Sequence, residues 1–250
     1  MQFFDVHLHL PSPDAAGIDA FLRFLKSEPD LIGGNLILNT SQEVAVVEAN
    51  LHLIPPKVVL VPYFQAGVRH SDPLRRAGWY KLHPTIQKLD AKAIPDVVSA
   101  LKIERPEGVI VHCFPWGPEV HFNISLPLVI ELAQTLSDTT ILVTHGGGYE
   151  SWAFRAHAGG FKNVHFDFSM TLDYYQGADA VKPLERYLRF SRSRVHFGSD
   201  WPFGQVKSQL AELLRLAKGA GLGETEVEAL LLENARACWG LAFDSNGDGK

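Results

Sequence analysis

Short apolar runs alternate along this chain with longer stretches in which apolar residues recur every three or four positions. The runs fall at 3–9 (FFDVHLH), 32–38 (IGGNLIL), 57–64 (KVVLVPYF), 78–83 (GWYKLH), 108–114 (GVIVHCF), 139–145 (TTILVTH), 163–169 (NVHFDFS) and 194–199 (RVHFGS). Their length and branched or aromatic content predict eight β-strands. Their near-continuous apolar character predicts strands covered on both faces. The longer stretches predict helices at 15–27, 41–52, 94–104, 123–137, 179–190 and 204–219. Eight strands alternating with helices predict an α/β chain folded as a (β/α)8 TIM barrel, distorted in places. An open doubly wound sheet is the competing architecture. Polar residues recur at strand ends along the whole chain, whereas an open sheet gathers its site near one switch point, so the barrel is favoured. Pro62 weakens the third strand, because proline cannot donate to a ladder.

An additional C-terminal helix is expected at 225–238, opened by Thr225 and Glu228 as a capping box. Residues 1–243 are then one barrel domain, and 244–250 (DSNGDGK) a flexible, solvated tail. Apolar residues make up 46% of the 250, enough for a sizeable core. A net charge of −5 without any Lys/Arg-rich block gives no reason to expect a nucleic-acid partner. No apolar run reaches membrane-spanning length. The two cysteines, Cys113 and Cys238, form neither a CxxC pair nor a disulfide framework. Met1 leads straight into a predicted strand with no signal peptide, so the expected compartment is the cytoplasm.

His7 and His9 carry the sharpest chemical signal. They stand at i and i+2 on a predicted strand, so both imidazoles share one side. Two histidines at the end of a buried strand are costly unless something holds them, and a metal ion is the obvious holder. His112, His145 and Asp200 each stand near the C-terminal end of another predicted strand. In a barrel those ends converge, so residues distant in sequence meet in one pocket. Imidazoles with a carboxylate suit zinc, with manganese, iron and cobalt left open. On its own, H-x-H is a weak signal, and two hydrogen-bonded core or loop histidines are its plainer reading. Asp5 shares parity with His7 and His9, and is expected to support a ligand from deeper in the barrel. Asp167 shares a face with His165 and Ser169 and is expected to bond a polar neighbour, not a metal.

These segments resemble the amidohydrolase superfamily, specifically the amidohydrolase-2 branch that includes aminocarboxymuconate-semialdehyde decarboxylase-like enzymes. The matching pieces are DVHLH at 5–9, GWYKLHP at 78–84, VHCF at 111–114, THGG at 144–147, FGSDWP at 197–202 and ENARACW at 233–239. The resemblance implies a distorted (β/α)8 barrel with one divalent metal, most often Zn2+, with Mn2+ as the variant. It implies that His7, His9 and His112 are imidazole ligands and that Asp200 is the carboxylate ligand or the partner of activated water. It makes His145 the catalytic acid or base. In another branch a modified lysine on strand four bridges two metals. Lys81 is near that position, but K-L-H-P resembles the mononuclear branch.

Two reactions fit such a constellation. In the first, a hydrolase directs activated water onto a small ester, lactone or amide carbonyl, with Asp200 orienting the water and His145 moving a proton. In the second, a non-oxidative decarboxylase acts on an aromatic or unsaturated acid, which needs a holder for the carboxylate. Arg69, His70 and Arg155 are candidates for that holder, and a solvated surface is the plain reading of each. A barrel that has lost catalysis and serves as a binding module is the third reading. Lys81 and His83 after strand four, and Trp116, Tyr149, Trp152 and Trp201 after strands five, six and eight, are candidate substrate contacts; loop packing is the alternative for each aromatic. Cys113 follows a proposed ligand and should point to the helix layer. Gly146, Gly147 and Gly148 should form a flexible turn that gives His145 room. The chain is short for the branch, so an open site or one completed in a homodimer is expected.

Overall fold

In the computed structural model, residues 1–114 and 123–240 are described. Trp116 and the tail 244–250 lie outside the described residues. All eight expected strands are present: β1 (Phe3–Leu8), β2 (Leu31–Leu38), β3 (Val58–Pro62), β4 (Trp79–Leu82), β5 (Gly108–Val111), β6 (Thr140–Val143), β7 (Val164–Asp167) and β8 (Val195–His196). Every pairing is parallel, in the orders β1-β2-β3 and β4-β5-β6-β7-β8. Two seams join the halves. At one, Tyr63 bridges to Lys81 and the Phe64 N–H donates to the Lys81 carbonyl at 2.8 Å. At the other, the segment after β8 runs beside β1. Val6 N donates to Phe197 O at 2.9 Å, Asp200 N to His7 O at 2.9 Å, and His9 N to Trp201 O at 2.8 Å. The result is a closed TIM barrel, with no free strand edge among the described residues. Pro62 is tolerated because it is the last residue of β3.

Helices α1 (Ala15–Ser27), α2 (Ser41–Ala49), α3 (Asp72–Arg75), α4 (Ile94–Glu104), α5 (Ser125–Thr135), α6 (Ser151–His157), α7 (Thr171–Tyr174), α8 (Lys182–Ser191) and α9 (Val206–Gly219) follow in chain order. Helix α1 shows why such stretches fold this way. Asp14 accepts the Gly17 N–H at 2.9 Å as the N-cap, and Ile18, Phe21, Phe24 and Leu25 form one buried stripe. The predicted 41–52 helix stops at Ala49 and gives way to a short turn over Leu51–Leu53. No helix among the described residues is long and apolar enough to cross a membrane.

The C-terminal segment departs from expectation in detail. It divides into α10 (Glu224–Glu228), a π-turn over Ala229–Glu233, and α11 (Asn234–Trp239). Thr225 and Glu228 do not form the cap. The helix starts one residue earlier, and Glu226 accepts the Gly223 N–H at 2.9 Å. The π-turn presents Leu230, Leu231 and Leu232 to the barrel. Leu232, Ala235 and Trp239 then close the lower barrel interior with Phe4, Val6, Ile37 and Trp79.

Trp79 stacks on Trp239 with ring centroids 4.4 Å apart, and the adjacent Gly108 has no room for a side chain. A Cβ there would lie 2.5 Å from three Trp79 ring atoms. Gly108→Ala is therefore expected to destabilise the fold by about 1–3 kcal/mol through overpacking. Urea unfolding checks this; an unchanged midpoint would contradict the packing described for the barrel floor.

Candidate active site

The β8–β1 seam assembles the upper site. Between Asp5 and Leu8, three steps of β1 span two steps of β2, from Gly34 to Leu36. That bulge breaks the alternation: Phe4 and Val6 join the lower core, while His7 and His9 turn to the upper end. Asp5 is consequently out of step with the two histidines. Its Oδ1 accepts the backbone N–H of His7 and of Ser199, each at 3.0 Å, so it pins both sides of the seam. Burial pushes its carboxyl up to about 7.

His7, His9 and Asp200 converge. Asp200 Oδ1 lies 3.3 Å from Nε2 of His7 and 3.3 Å from Nε2 of His9. All three side chains are buried. Asp200 has a left-handed backbone with φ of 60°, and its carbonyl accepts the N–H groups of Phe203 and Gly204. His145 is also left-handed, with φ of 59°, ahead of three glycines at positive φ. Non-glycine residues in this region are uncommon and persist where the surroundings over-determine them. Here the surroundings are explicit. The turn is buried and closely packed, and a Cβ on Gly147 would lie 2.3 Å from Phe154. His145 N donates to Asp167 Oδ1 at 3.1 Å, and Thr171 Oγ1 donates to the His145 carbonyl at 2.6 Å.

Hydrogen-bond acceptors fix which nitrogen of each ring holds its proton. His7 Nδ1 faces Asp167 Oδ2 at 3.2 Å, His9 Nδ1 faces the Ile37 carbonyl at 3.3 Å, and His145 Nδ1 faces the Ser169 carbonyl at 3.1 Å. His112 Nε2 faces the Phe114 carbonyl at 3.1 Å. Each of these nitrogens must donate, so the opposite nitrogen of each ring carries a lone pair. The Ser169 hydroxyl completes the set: it donates to Asp167 Oδ1 and accepts from Nδ1 of His7 at 3.1 Å and of His145 at 3.0 Å. Asn39 lies 3.4 Å from His9 Nδ1, and its amide oxygen, otherwise without a partner, is the end that suits an N–H there.

The lone pairs then meet one another. His7 Nε2 is buried without a hydrogen-bond partner among the described residues. His145 Nε2 faces His112 Nδ1 at 3.3 Å, lone pair against lone pair. Burial depresses His7 to about 4 and also lowers His112 and His145, so these rings are neutral at neutral pH. Burial alone would raise Asp167 and Asp200, but the neighbouring His7 holds both below the ordinary carboxylate range. Buried carboxylates among convergent imidazole lone pairs fit a divalent cation, which satisfies orphaned atoms that protein groups do not. His7, His9 and Asp200 form one group of suitable donor atoms; His7, His145 and Asp167 form an overlapping one. His112 joins neither group and reaches the cluster through His145.

Lys81 is fully buried on β4, and its Nζ has no hydrogen-bond partner among the described residues. Burial lowers its ammonium to about 8, partly offset by Asp167 and Asp200. His83 stacks on His112 with centroids 3.9 Å apart. A cavity of about 510 Å3, lined by Asn39, Tyr63, Gln65 and Gln87, adjoins the cluster through Asn39.

The other sequence candidates stand apart. Arg69 is exposed, and its charge acts on Glu104. His70 bonds the Tyr63 carbonyl at 2.7 Å, and Arg155 lies over the Tyr187 ring in the helix layer. Trp201 turns outward and stacks on Phe24 of α1 at 4.1 Å. Tyr149 and Trp152 are exposed, while Cys113 packs in the outer core. Residues given little weight in the sequence do much of the positioning. Asp167 and Ser169 orient two rings, and Phe114 covers His145 edge-on at 5.5 Å. The alternation His165, Asp167, Ser169 at the end of β7 was the available signal.

The amidohydrolase profile of the Amidohydro_2 family matches residues 47–241. Among solved structures, an uncharacterised TIM-barrel protein from Bordetella bronchiseptica superposes with a TM-score of 0.69 at 15% identity, over 96% of this chain and 100% of that one. An apo structure from Agrobacterium tumefaciens gives 0.60 at 13% identity, over 96% of each chain. An amidohydrolase II structure gives 0.55 at 13% identity, over 96% of this chain and 100% of the other. At such identities these likenesses concern the fold. No curated protein matches the sequence.

Lys81 supplies a test of the buried site. An unfolded lysine titrates near 10.5, and the folded one near 8. Between those values the unfolded chain binds more protons, so the metal-free protein's stability rises with pH across that window. Below pH 8 the penalty is fully present. Lys81→Met is expected to flatten the rise by about 1–3 kcal/mol. Urea unfolding of both proteins at pH 7.5 and 10 checks this; parallel pH dependence in the two would contradict the burial of that charge.

Proposed function

The chain belongs to the Amidohydro_2 family of amidohydrolases, and on that premise we propose that it is a metal-dependent hydrolase acting on a small ester, lactone or amide carbonyl. The observation that carries this reading is Asp200 Oδ1 standing 3.3 Å from Nε2 of both His7 and His9. His7, His9 and Asp200 would hold the ion, with His112 and His145 close by. When bound, a divalent ion supplies Lewis acidity and brings the pKa of water toward neutrality.

The chain's own groups do the rest. Asp200 is ionised and free to accept the proton of an attacking water. The Ser169 carbonyl and hydroxyl hold the proton of His145 on Nδ1, so its Nε2 is the face that exchanges a proton with substrate. The left-handed turns at His145 and Asp200 fix both groups before substrate arrives, which limits reorganisation during the reaction. Zinc is the preferred ion for the imidazole–carboxylate set, with manganese second.

A second reading has its own support. The orphaned Nζ of Lys81 is a buried cation suited to a substrate carboxylate, and that favours either a carboxylated hydrolase substrate or a non-oxidative decarboxylation. The reading of Arg69 as carboxylate holder loses ground to Lys81, since Arg69 is exposed.

Wild type and Asp200→Asn, each saturated with zinc, would be screened on lactones, esters, amides and unsaturated acids. Hydrolytic turnover is expected in the wild type and about 10^2–10^4-fold less in the variant, with an unchanged circular dichroism spectrum. Full activity in Asp200→Asn would overturn the role given to that carboxylate. Carbon dioxide as the product would select the decarboxylase.

A further inference from the structure

A second convergence of donor atoms lies at the opposite end of the barrel. His165 on β7 and His196 on β8 stack with centroids 5.2 Å apart, and His165 Nδ1 meets His196 Nε2 at 2.9 Å. Cys238 on α11 brings its sulfur to 3.9 Å from the same His165 nitrogen. One donor atom from each residue lies within 4.8 Å of the other two. None of these residues takes part in the upper site.

The surroundings are rigid. Asn234 at the start of α11 donates to the carbonyls of Arg192 and Val195, each at 2.7 Å, and so ties the helix to the start of β8. His196 is 1% exposed and packs edge-on against Trp239 at 5.3 Å. Its Nδ1 has no hydrogen-bond partner among the described residues. Two neutral imidazoles can share only one proton across a 2.9 Å contact, and no other described group anchors the His196 ring by a hydrogen bond. Burial lowers both histidines, His165 to about 4, so both rings offer lone pairs at neutral pH.

We propose that His165, His196 and Cys238 form a second metal site, structural in role, that takes a zinc-class divalent ion and fastens α11 to the floor of the barrel. Two imidazoles and one thiolate are a borderline-soft set, which selects zinc over magnesium or calcium. Coordination releases the Cys238 thiol proton to solvent, while the imidazoles are already neutral. His165 and Cys238 are half-buried, so the cluster is partly open to solvent. The tie joins β7, β8 and the C-terminal helix, elements up to 73 residues apart in sequence.

Cobalt(II) is the probe, titrated into metal-free full-length protein. A thiolate bound to cobalt adds a near-ultraviolet charge-transfer band that imidazole and carboxylate ligands do not produce. The wild type is expected to develop this band, saturating at one equivalent per chain for this site. Cys238→Ser should lose the band, whereas Cys113→Ala should keep it. The His7→Ala/His9→Ala double variant should also keep it, which separates this site from the upper one. Hydrogen exchange over 234–239 should slow at least tenfold on metal addition in the wild type alone. Folded wild type without the band, or a band that survives Cys238→Ser, would overturn the proposal.

Discussion

Everything at the upper site depends on the closure of the barrel between its last strand and its first. Three backbone hydrogen bonds, from Val6 to Phe197, from Asp200 to His7 and from His9 to Trp201, bring residues 197–201 beside residues 6–9. Each such bond contributes only about 0.5–1.5 kcal/mol. Their effect on position is larger than their effect on stability, because they deliver a carboxylate from one end of the chain to a pair of imidazoles at the other. Asp5 strengthens the junction by accepting an N–H from each side of it. The bulge in β1 then rotates His7 and His9 toward that carboxylate, while Phe4 and Val6 stay in the core.

The same closure creates an electrostatic problem. Asp167, Asp200 and Lys81 are all buried, and neutral imidazoles surround them. Buried charge is costly unless it is paired or coordinated. Asp167 is satisfied by His7, His145 and Ser169, whereas Asp200, His7 Nε2 and Lys81 Nζ are left facing the interior of the site. Carbonyl oxygens behind the rings commit the protons of His9, His112 and His145 outward, and Asp167 does the same for His7. The lone pairs are thereby directed inward. A cation is the group that answers both the charge and the lone pairs.

The strands and the histidine pattern were readable because both depend on local sequence. Continuous apolar runs mark strands covered on two faces, and H-x-H, His112, His145 and Asp200 stood at strand ends. Orientation was less readable. The β1 bulge adds a residue that alternation does not announce, so Asp5 was placed in step with His7. Trp201 follows Asp200 directly, yet the left-handed turn at Asp200 swings it outward onto Phe24. Arg69 was a candidate by charge alone, and only the path of the β3–β4 connection sets it near Glu104. The importance of Ser169 rests on its contacts to His7 and His145, 162 and 24 residues away, which no local pattern encodes; its bond to Asp167, two residues back, follows the alternation at the end of β7.

The central claim is that barrel closure builds a divalent-metal site on His7, His9 and Asp200. A crystal structure of the zinc-loaded protein, with anomalous scattering recorded at the zinc edge, tests it most directly. The account predicts an anomalous peak about 2.0–2.2 Å from Nε2 of both His7 and His9, with Asp200 beside it. A folded, zinc-exposed protein with no peak at that position would contradict it.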